Sequence, residues 1–287
     1  MNTKGRDYVR VNMPLLGLGT WQVRSSDIPG SLDAALSAGY RFIDTAQIYG
    51  NEAAIGKALK ELLPKYNLSR ENIFITSKLA PGNQGSVAED SIQKSLENLQ
   101  SDYIDLFIIH WPGSSNRSES PKNAALRRQS WETMEKLHEQ GKLRAIGVSN
   151  YLERHLEELL SHTKVLPAVD QCEYHVHYQT NDLVNYCKDK GIHFQSYSTL
   201  GSPDGRKKLM NDPKVVTLAE KYKISVPVLL LAWAINQEIS VLPRSTKKDH
   251  IEENFKALQI QMDPADVQSL LSNDAKSKYC WEPNSVV

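Results

Sequence analysis

Short β-rich runs alternate with longer amphipathic runs along almost the whole chain. Short apolar runs between turn residues predict buried strands, and runs with apolar residues three or four apart predict helices. We predict strands at 15–20, 40–44, 72–78, 103–110, 143–150, 168–174, 192–198 and 239–244. We predict helices at 29–38, 51–63, 87–99, 125–140, 152–161, 181–190, 212–222, 227–235 and 247–258.

Eight strands, each followed by a helix, predict a (β/α)8 barrel, and no Gly/Ser-rich or Pro-rich linker divides them. The 287 residues suit this fold, which takes about 250 residues or more. We expect one domain over 1–287, with an N-terminal hairpin or cap at 7–14 and a C-terminal tail at 263–287. A doubly wound sheet is the alternative. The stretch LGLGTW at 16–21 argues against it, because it lacks the third glycine of a dinucleotide-binding turn and no helix follows at once.

Composition narrows the class of partner and the compartment. The formal net charge is zero, which gives no support for binding to nucleic acid or to an anionic membrane. The opening residues lack the apolar core of a signal peptide, and the longest apolar stretch, VPVLLLAWAI, is about half of what spans a bilayer. Three scattered cysteines are too few for a disulfide scaffold. We therefore expect a cytoplasmic protein.

The predicted strands end in groups that can do chemistry, and in a barrel these ends meet on one face. Lys78 alone is explained as a solvated lysine at a strand end, and His110 alone as a structural histidine. Together with their neighbours they are harder to explain as structural residues. The residues at these ends are Thr20, Trp21, Asp44, Tyr49, Lys78, His110, Trp111, Ser149, Asn150, Gln171, Glu173, Tyr197, Arg244 and Ser245.

Four of these residues form a coherent proton-donating group. A tyrosine hydroxyl has an ordinary pKa of about 10 and is a poor acid near neutrality. A cationic Lys78 nearby would lower the pKa of Tyr49, and Asp44 would hold Lys78 charged and oriented. His110 could donate to a substrate oxygen and fix its position. This arrangement protonates an oxygen that is gaining negative charge, as a carbonyl reduced by hydride requires.

The chain resembles the aldo-keto reductase family over nearly its full length, and the matching motifs are specific in combination. They are GLGTW (17–21), GYRFIDTAQIYGNE (39–52), ITSKL (75–79), DLFIIHWP (105–112), GKLRAIGVSN (141–150), QCEYH (171–175), SYSTLG (196–201) and PRSTKKDHIEENF (243–255). The resemblance implies a barrel, monomeric in type, that uses NADPH without a Rossmann domain. It implies that Tyr49 is the general acid, that Asp44 and Lys78 support it, and that His110 orients the carbonyl.

The resemblance also assigns the nicotinamide end of a cofactor site. Tyr197 would stack on the nicotinamide ring and leave one face free for hydride transfer. Thr20, Trp21 and Asp44 would also lie against the cofactor. The residues implied for the carboxamide are Ser149, Asn150 and Gln171. Those implied for the pyrophosphate are Ser198, Leu200 and Ser202. Thr199 replaces a proline common in the family, which would loosen this loop.

The segment 243–255 corresponds to the family's adenosine phosphate site. Its cations stand at the start of a predicted helix, where backbone amides favour an anion. Arg244 replaces the usual lysine and keeps the charge, whereas His250 replaces the usual arginine and would hold a 2′-phosphate less firmly. We expect NADPH to bind better than NADH, with less discrimination than is typical. The implied contacts are Arg244, Ser245, Thr246, Lys247, His250, Glu253 and Asn254, and Lys248 is a further cation beside them.

The substrate pocket is expected above Tyr49 and His110, with walls formed by Trp21, Trp111 and Trp281. The loop at 112–126 and the tail are short, which predicts an open site for small aldehydes, dicarbonyls or quinones. A deep steroid channel is disfavoured.

Three other functions compete with carbonyl reduction. Asp44 and Glu173 could be the carboxylate pair of a barrel glycosidase, although Lys78 would then have no role. His110, His175 and His177 could hold zinc, but no acidic ligand is obvious and we predict no metal. Some members of the family are regulatory subunits that bind cofactor without catalysis. The complete set of catalytic residue types favours an enzyme.

Overall fold

The computed structural model describes residues 4–114 and 120–287. Eight parallel strands pair in chain order. The backbone N–H of Gly17 donates to Val241 O over 2.9 Å, and Val241 N donates to Leu15 O over 2.8 Å, so the last strand pairs with the first. This closure confirms the predicted (β/α)8 barrel. The strands are β1 Leu18–Gly19, β2 Phe42–Asp44, β3 Phe74–Leu79, β4 Ile104–Ile109, β5 Leu143–Ser149, β6 Val169–Glu173, β7 His193–Tyr197 and β8 Ser240–Val241.

Helices surround the sheet. They are α1 Gly5–Asn12, α2 Ile28–Ala38, α3 Glu52–Lys65, α4 Ala88–Leu99, α5 Asn123–Glu139, α6 Glu153–Leu160, α7 Asn181–Asp189, α8 Ser202–Met210, α9 Pro213–Tyr222, α10 Val226–Ile235, α11 Lys248–Phe255 and α12 Pro264–Ser269. Short 3-10 turns occur at Gln47–Tyr49, Arg70–Asn72, Pro81–Asn83 and Lys256–Gln259. Part of the loop predicted at 112–126, residues 115–119, lies outside the described residues.

The hairpin predicted at 7–14 is wrong, because this stretch forms helix α1. Val9 is buried against apolar side chains inside the barrel, whereas Val11 is 69% exposed. The Tyr8 hydroxyl donates to Asp105 Oδ1 over 2.6 Å. Alternating valines around Arg10 imitate a strand in the sequence, but contacts with the amino end of the barrel select a helix. Helix α1 therefore covers the end of the barrel away from the candidate site.

Two layers of apolar side chains hold the barrel. Inside, Phe42, Phe74 and Leu106 pack in one buried cluster. Outside, the strands pack against the apolar faces of the helices in a second, larger cluster. Most strands are therefore buried on both faces, which explains their continuous apolar runs. Among the described residues, no helix combines the length and apolar character needed to cross a bilayer.

Candidate active site

Four predicted catalytic residues converge at the carboxyl ends of neighbouring strands. Asp44 is the last residue of β2, Lys78 lies in β3, and His110 directly follows β4. Tyr49 lies in the 3-10 turn that follows β2. Lys78 Nζ donates to Asp44 Oδ1 over 2.5 Å and to the Tyr49 hydroxyl oxygen over 3.5 Å. The barrel thus brings together groups that are up to 66 residues apart (from Asp44 to His110).

The Lys78–Asp44 pair is buried and supported by further hydrogen bonds. Lys78 is 0% exposed, and its ammonium also donates to the Thr45 carbonyl over 2.9 Å. The second oxygen of Asp44 accepts from Gln171 Nε2 over 2.8 Å. Burial lowers the pKa of Lys78, and Asp44 opposes that shift. Buried ion pairs persist where their remaining polar atoms are satisfied, as these are.

The Tyr49 hydroxyl is a weaker acid than the sequence suggested. Burial, the nearby Asp44 carboxylate and Cys280 raise the pKa of Tyr49 well above 10. The expectation that Lys78 lowers this pKa is therefore wrong for this structure. The cost of burying a phenolate outweighs the attraction of an ammonium 3.5 Å away. The phenol holds its proton across the neutral range.

His110 is a neutral imidazole beside Tyr49. Burial first, and then the charge of Lys78, lower the pKa of His110 well below its ordinary value. Its ring meets the Tyr49 ring edge-on, with centroids 5.7 Å apart. Its Nδ1 atom is buried and has no hydrogen-bond partner among the described residues. The tautomer with its proton on Nε2 avoids burying an unpaired N–H group.

Polar side chains at the ends of β5, β6 and β7 form a linked cluster beside this group. Asn150 Nδ2 donates to the His110 carbonyl over 3.0 Å and to Ser149 Oγ over 3.1 Å. Ser149 Oγ donates to the Gln171 carbonyl over 2.7 Å. The Tyr197 hydroxyl donates to Asn150 Oδ1 over 2.6 Å. The side chains predicted to contact a carboxamide and a nicotinamide ring therefore lie together.

The backbone around this cluster takes up unusual conformations. Asn150, Ser198 and Ser202 have φ angles of 63°, 54° and 53°, in the left-handed region that disfavours side chains. Such strain concentrates at functional sites. Thr199, expected to loosen the loop, is buried, and its hydroxyl bonds to Ser196 Oγ over 2.7 Å.

One cavity of about 360 Å³ joins these groups. Its lining includes the predicted residues Trp21, Asp44, Tyr49, His110, Ser149, Asn150, Gln171, Tyr197, Ser198, Leu200, Ser202, Arg244 and Trp281. The sequence analysis did not single out Gly19, Pro203, Arg206, Leu242, Pro243 or Cys280 as lining residues. Thr20 and Trp111 lie outside this lining, and the pocket wall predicted from Trp111 stays a prediction. Trp111 instead offers its carbonyl to Gln84 Nε2 over 2.7 Å.

The predicted phosphate segment lies at one edge of the cavity. Arg244 lines the cavity, is exposed, and donates to Gln22 Oε1 over 3.2 Å. Ser245 is buried and its hydroxyl accepts from Lys247 N over 3.0 Å, just before α11 begins. Thr246, Lys247, Lys248 and His250 are exposed, Glu253 is half-buried and Asn254 is buried. These six residues lie beyond the cavity lining.

Glu173 and the two histidines after β6 are engaged in other contacts. Glu173 Oε1 accepts from His175 Nε2 over 3.0 Å and from Tyr279 N over 2.6 Å. Glu173 Oε2 accepts from Lys278 Nζ and Cys280 N. With four donors on two oxygens, this carboxylate has no free position to act as the second acid or base of a glycosidase.

The zinc alternative also lacks structural support. The His177 ring bonds to the Tyr279 hydroxyl and to Asp212 Oδ2, each over 2.9 Å. Within residues 4–114 and 120–287, no three His, Cys, Asp or Glu side chains group together as metal ligands.

Comparison with known proteins agrees with this site. The model of the aldo/keto reductase family matches residues 15–274. Aldo-keto reductase family 1 member A1 of Pongo abelii is 37% identical over 276 residues, which cover 90% of this chain and 85% of that protein. The human protein of the same name is 35% identical over 285 residues, covering 93% and 88%.

Solved structures show the same architecture. MGS-M4, an aldo-keto reductase from a Medee basin deep-sea metagenome library, is 36% identical with a TM-score of 0.84, covering 93% of this chain and 94% of that one. The aldose reductase of Schistosoma japonicum is 31% identical with a TM-score of 0.83, covering 92% and 90%. The chain therefore belongs to the aldo/keto reductase family and is an oxidoreductase of carbonyl groups.

Proposed function

We propose that this enzyme reduces aldehydes or ketones to alcohols with NADPH and that Tyr49 donates the proton. The observation that supports this proposal most strongly is the contact between Lys78 Nζ and the Tyr49 hydroxyl oxygen. The Tyr49 oxygen faces Lys78 Nζ, so its own proton is free to point into the cavity. Lys78 is in turn held by Asp44, which gives the pair a fixed position.

Proton donation follows from the charges around the phenol. Tyr49 is protonated at neutral pH because burial raises its pKa. As the substrate oxygen gains negative charge, the phenol gives it the proton. The ammonium of Lys78 then lies beside the phenolate that remains, and Asp44 keeps that ammonium in place. Proton transfer from a positioned side chain contributes roughly 10²–10⁴ in rate.

His110 orients the carbonyl in this proposal. A neutral imidazole with its proton on Nε2 can donate to the substrate oxygen without adding a positive charge to the site. Its low pKa keeps it in this form at neutral pH. A donor aimed at an oxygen that gains charge stabilises the transition state.

The cavity fits a nicotinamide dinucleotide, which when bound supplies the hydride. Ser149, Asn150 and Gln171 offer hydroxyl and amide groups to a carboxamide at the end nearest Tyr49. The Tyr197 ring lines the same end and offers its face to a nicotinamide ring. We assign the pyrophosphate to Ser198, Leu200 and Ser202, and assign Trp21 to the nearby wall. Thr20, outside the cavity lining, is proposed as a further cofactor contact on the resemblance to the family.

We place the adenosine phosphate at the surface beyond Arg244, at one edge of the cavity. Arg244 offers a guanidinium fork, and the cations before α11 stand where helix amides favour an anion. We assign Ser245, Thr246, Lys247 and His250 to the phosphate, and Glu253 and Asn254 to the adenine. The presence of His250 in place of an arginine lowers the expected discrimination between NADPH and NADH. NADPH is still expected to bind more tightly.

The substrate end has an apolar wall. The rings of Trp21 and Trp281 meet edge-on with centroids 5.9 Å apart, above the cavity that contains Tyr49 and His110. Small aldehydes, dicarbonyls and quinones match this open site better than steroids do. We also propose the cytoplasm as the compartment, because Cys172, Cys187 and Cys280 are all free thiols. We propose a monomer on the resemblance to the family alone.

A titration with NADPH and then NADH, followed by tryptophan fluorescence, tests the cofactor assignment. We expect tight NADPH and weaker NADH binding, and His250→Arg should widen that difference. Turnover of a small aldehyde by the same preparation tests the reaction. Cofactor binding without turnover would favour a regulatory subunit, and no binding of either cofactor would contradict the proposal.

A further inference from the structure

The residues 278–281, here called the anchored segment, cross the mouth of the barrel close to the cavity. Glu173, the last residue of β6, is 1% exposed and holds this segment. Its carboxylate accepts from the backbone N–H of Tyr279 over 2.6 Å and of Cys280 over 3.1 Å. Lys278 Nζ adds a charged contact over 2.8 Å. Backbone amides and a charged side chain of the segment thus bond to one buried carboxylate.

Tyr279 provides a second hold on the segment. Its ring stacks on His175, with centroids 4.9 Å apart and planes 20° apart. Its hydroxyl bonds to His177 Nδ1 over 2.9 Å. The ring also lies against α8 at Gly205, where a Cβ atom would overlap it. Glycine within a helix costs about 1 kcal/mol relative to alanine. Gly205 is nevertheless needed in α8, because any larger residue would overlap the Tyr279 ring.

The held residues lead directly into the cavity wall. Cys280 and Trp281 both line the cavity, and Cys280 Sγ lies 3.2 Å from Ser198 Oγ. Trp281 is 54% exposed, and its ring pairs with Trp21. A half-exposed tryptophan has few contacts of its own that fix it. Its position depends on the backbone on both sides: Glu173 holds the residues before it, and Arg154 and His155 donate to the Val286 carbonyl after it over 3.1 and 3.0 Å.

We propose that Glu173 is a positioning residue that sets the preference of this site for aromatic carbonyl substrates by holding Trp281 over the cavity. The proposal rests on the reductase function proposed above. An aryl group of a substrate gains from packing against the Trp21–Trp281 pair only if both rings are in place. A small aliphatic carbonyl reaches Tyr49 and His110 without touching that pair.

Glu173→Gln tests the role with little change in size. The glutamine amide keeps one acceptor oxygen, but its NH2 group is a donor. That group would face the N–H and ammonium donors of the segment, with which it cannot bond. We expect KM for benzaldehyde to rise about five- to tenfold and kcat to change less than about twofold. KM for methylglyoxal should change less than about twofold. Glu282→Gln is the matched control, because Glu282 is exposed and accepts from Asn284 N over 3.0 Å, within the tail.

A double-mutant cycle separates positioning from a general structural effect. If Glu173 acts through Trp281, the Trp281→Ala change should raise KM for benzaldehyde, and adding Glu173→Gln to it should raise KM little further. Independent, multiplying effects would overturn the proposal. Lys278→Met, which removes one donor to Glu173 and leaves every barrel residue unchanged, should shift the same KM in the same direction by about two- to threefold.

Amide hydrogen exchange tests whether Glu173 holds the anchored segment, independently of catalysis. The Tyr279 and Cys280 amides should exchange at least about tenfold faster in Glu173→Gln than in the wild type, and not in Glu282→Gln. Unchanged exchange in Glu173→Gln would overturn the claim that Glu173 holds the anchored segment, even if the wild type reduces carbonyls. Failure of the wild type to reduce either carbonyl would instead overturn the proposed function, and the substrate preference with it.

Discussion

Two groups of tyrosine, aspartate and cation stand at opposite ends of the barrel, and they are linked in different orders. At the amino end, the Tyr8 hydroxyl donates to Asp105 Oδ1 over 2.6 Å. Arg70 Nη2 donates to the other carboxylate oxygen over 2.7 Å. The tyrosine proton is thus committed to the carboxylate. Burial and Asp105 both raise the pKa of Tyr8, which fixes that proton.

At the carboxyl end the cation lies between the other two groups. Lys78 Nζ contacts Asp44 Oδ1 at 2.5 Å and the Tyr49 oxygen at 3.5 Å. Because the phenol oxygen faces a donor, its own proton remains available to a substrate. The same three kinds of group therefore lock a helix to the barrel at one end and form a proton donor at the other.

Removing the cation at each end should give the largest effects. Lys78→Met leaves Asp44 buried without its charge partner, so we expect a loss of about 3–5 kcal/mol in the free energy of unfolding. We also expect kcat to fall by at least about 10², because the phenolate loses its stabilising charge. Arg70→Met is the matched control, which should lower stability and leave kcat of the folded enzyme unchanged. An equal loss of kcat in Lys78→Met and Arg70→Met would contradict the different roles of the two ends.

A third buried aspartate, Asp170, forms no ion pair with any cation in the described part of the chain, and it extends the comparison. Asp170 is 0% exposed, and its Oδ2 atom has no hydrogen-bond partner among the described residues. Burial raises the pKa of Asp170 from 3.8 to about 8. The unfolded chain releases this proton near pH 4 and the folded chain near pH 8, so the free energy of unfolding falls as pH rises across that interval.

Asp170→Asn should remove this dependence. The stability of the variant relative to the wild type should grow by roughly 1 kcal/mol per pH unit from about pH 5 to about pH 8. Urea unfolding at several pH values measures it. A difference that stays constant with pH would show that Asp170 is already ionised.

Tyr8→Phe should have a smaller effect and only on stability. It leaves Asp105 Oδ1 without the hydroxyl that it accepts from, which costs about 1–3 kcal/mol. Chemical unfolding and kcat measured on the same preparation should show a lower unfolding free energy and an unchanged kcat. A large loss of kcat would mean that the two ends of the barrel are not independent.

Arg244→Gln should give the smallest effect, confined to the cofactor. Arg244 is exposed, so one guanidinium contact to a phosphate is screened by solvent. We expect the Kd of NADPH to rise about tenfold and that of NADH to change less than about twofold. Parallel weakening of both would place Arg244 away from the 2′-phosphate.

The sequence predicted the regular parts of the barrel because their signals are local. All eight strands and nine of the helices follow from apolar runs and turn residues. The catalytic geometry also followed, since strand ends in a barrel must meet. Among the four catalytic residues, the predicted pKa shift at Tyr49 had the wrong sign, because burial cannot be read from spacing.

The elements that were missed depend on distant contacts. Helix α1 forms where Tyr8 and Val9 dock on the barrel, although the alternation of its valines resembles a strand. Helix α8 contains Gly205, which disfavours a helix locally and is explained only by Tyr279, 74 residues further along the chain. Helix α12, Pro264–Ser269, lies within the stretch predicted as the C-terminal tail, 263–287.

The proton of Tyr49 is tested most directly by a single turnover. Tyr49→Phe, premixed with NADPH and then given an aldehyde in stopped flow, should oxidise NADPH at least about 100-fold more slowly than the wild type. Its Kd for NADPH should stay within about twofold, because the change removes only the hydroxyl. A rate within about threefold of the wild type would show that another group donates the proton.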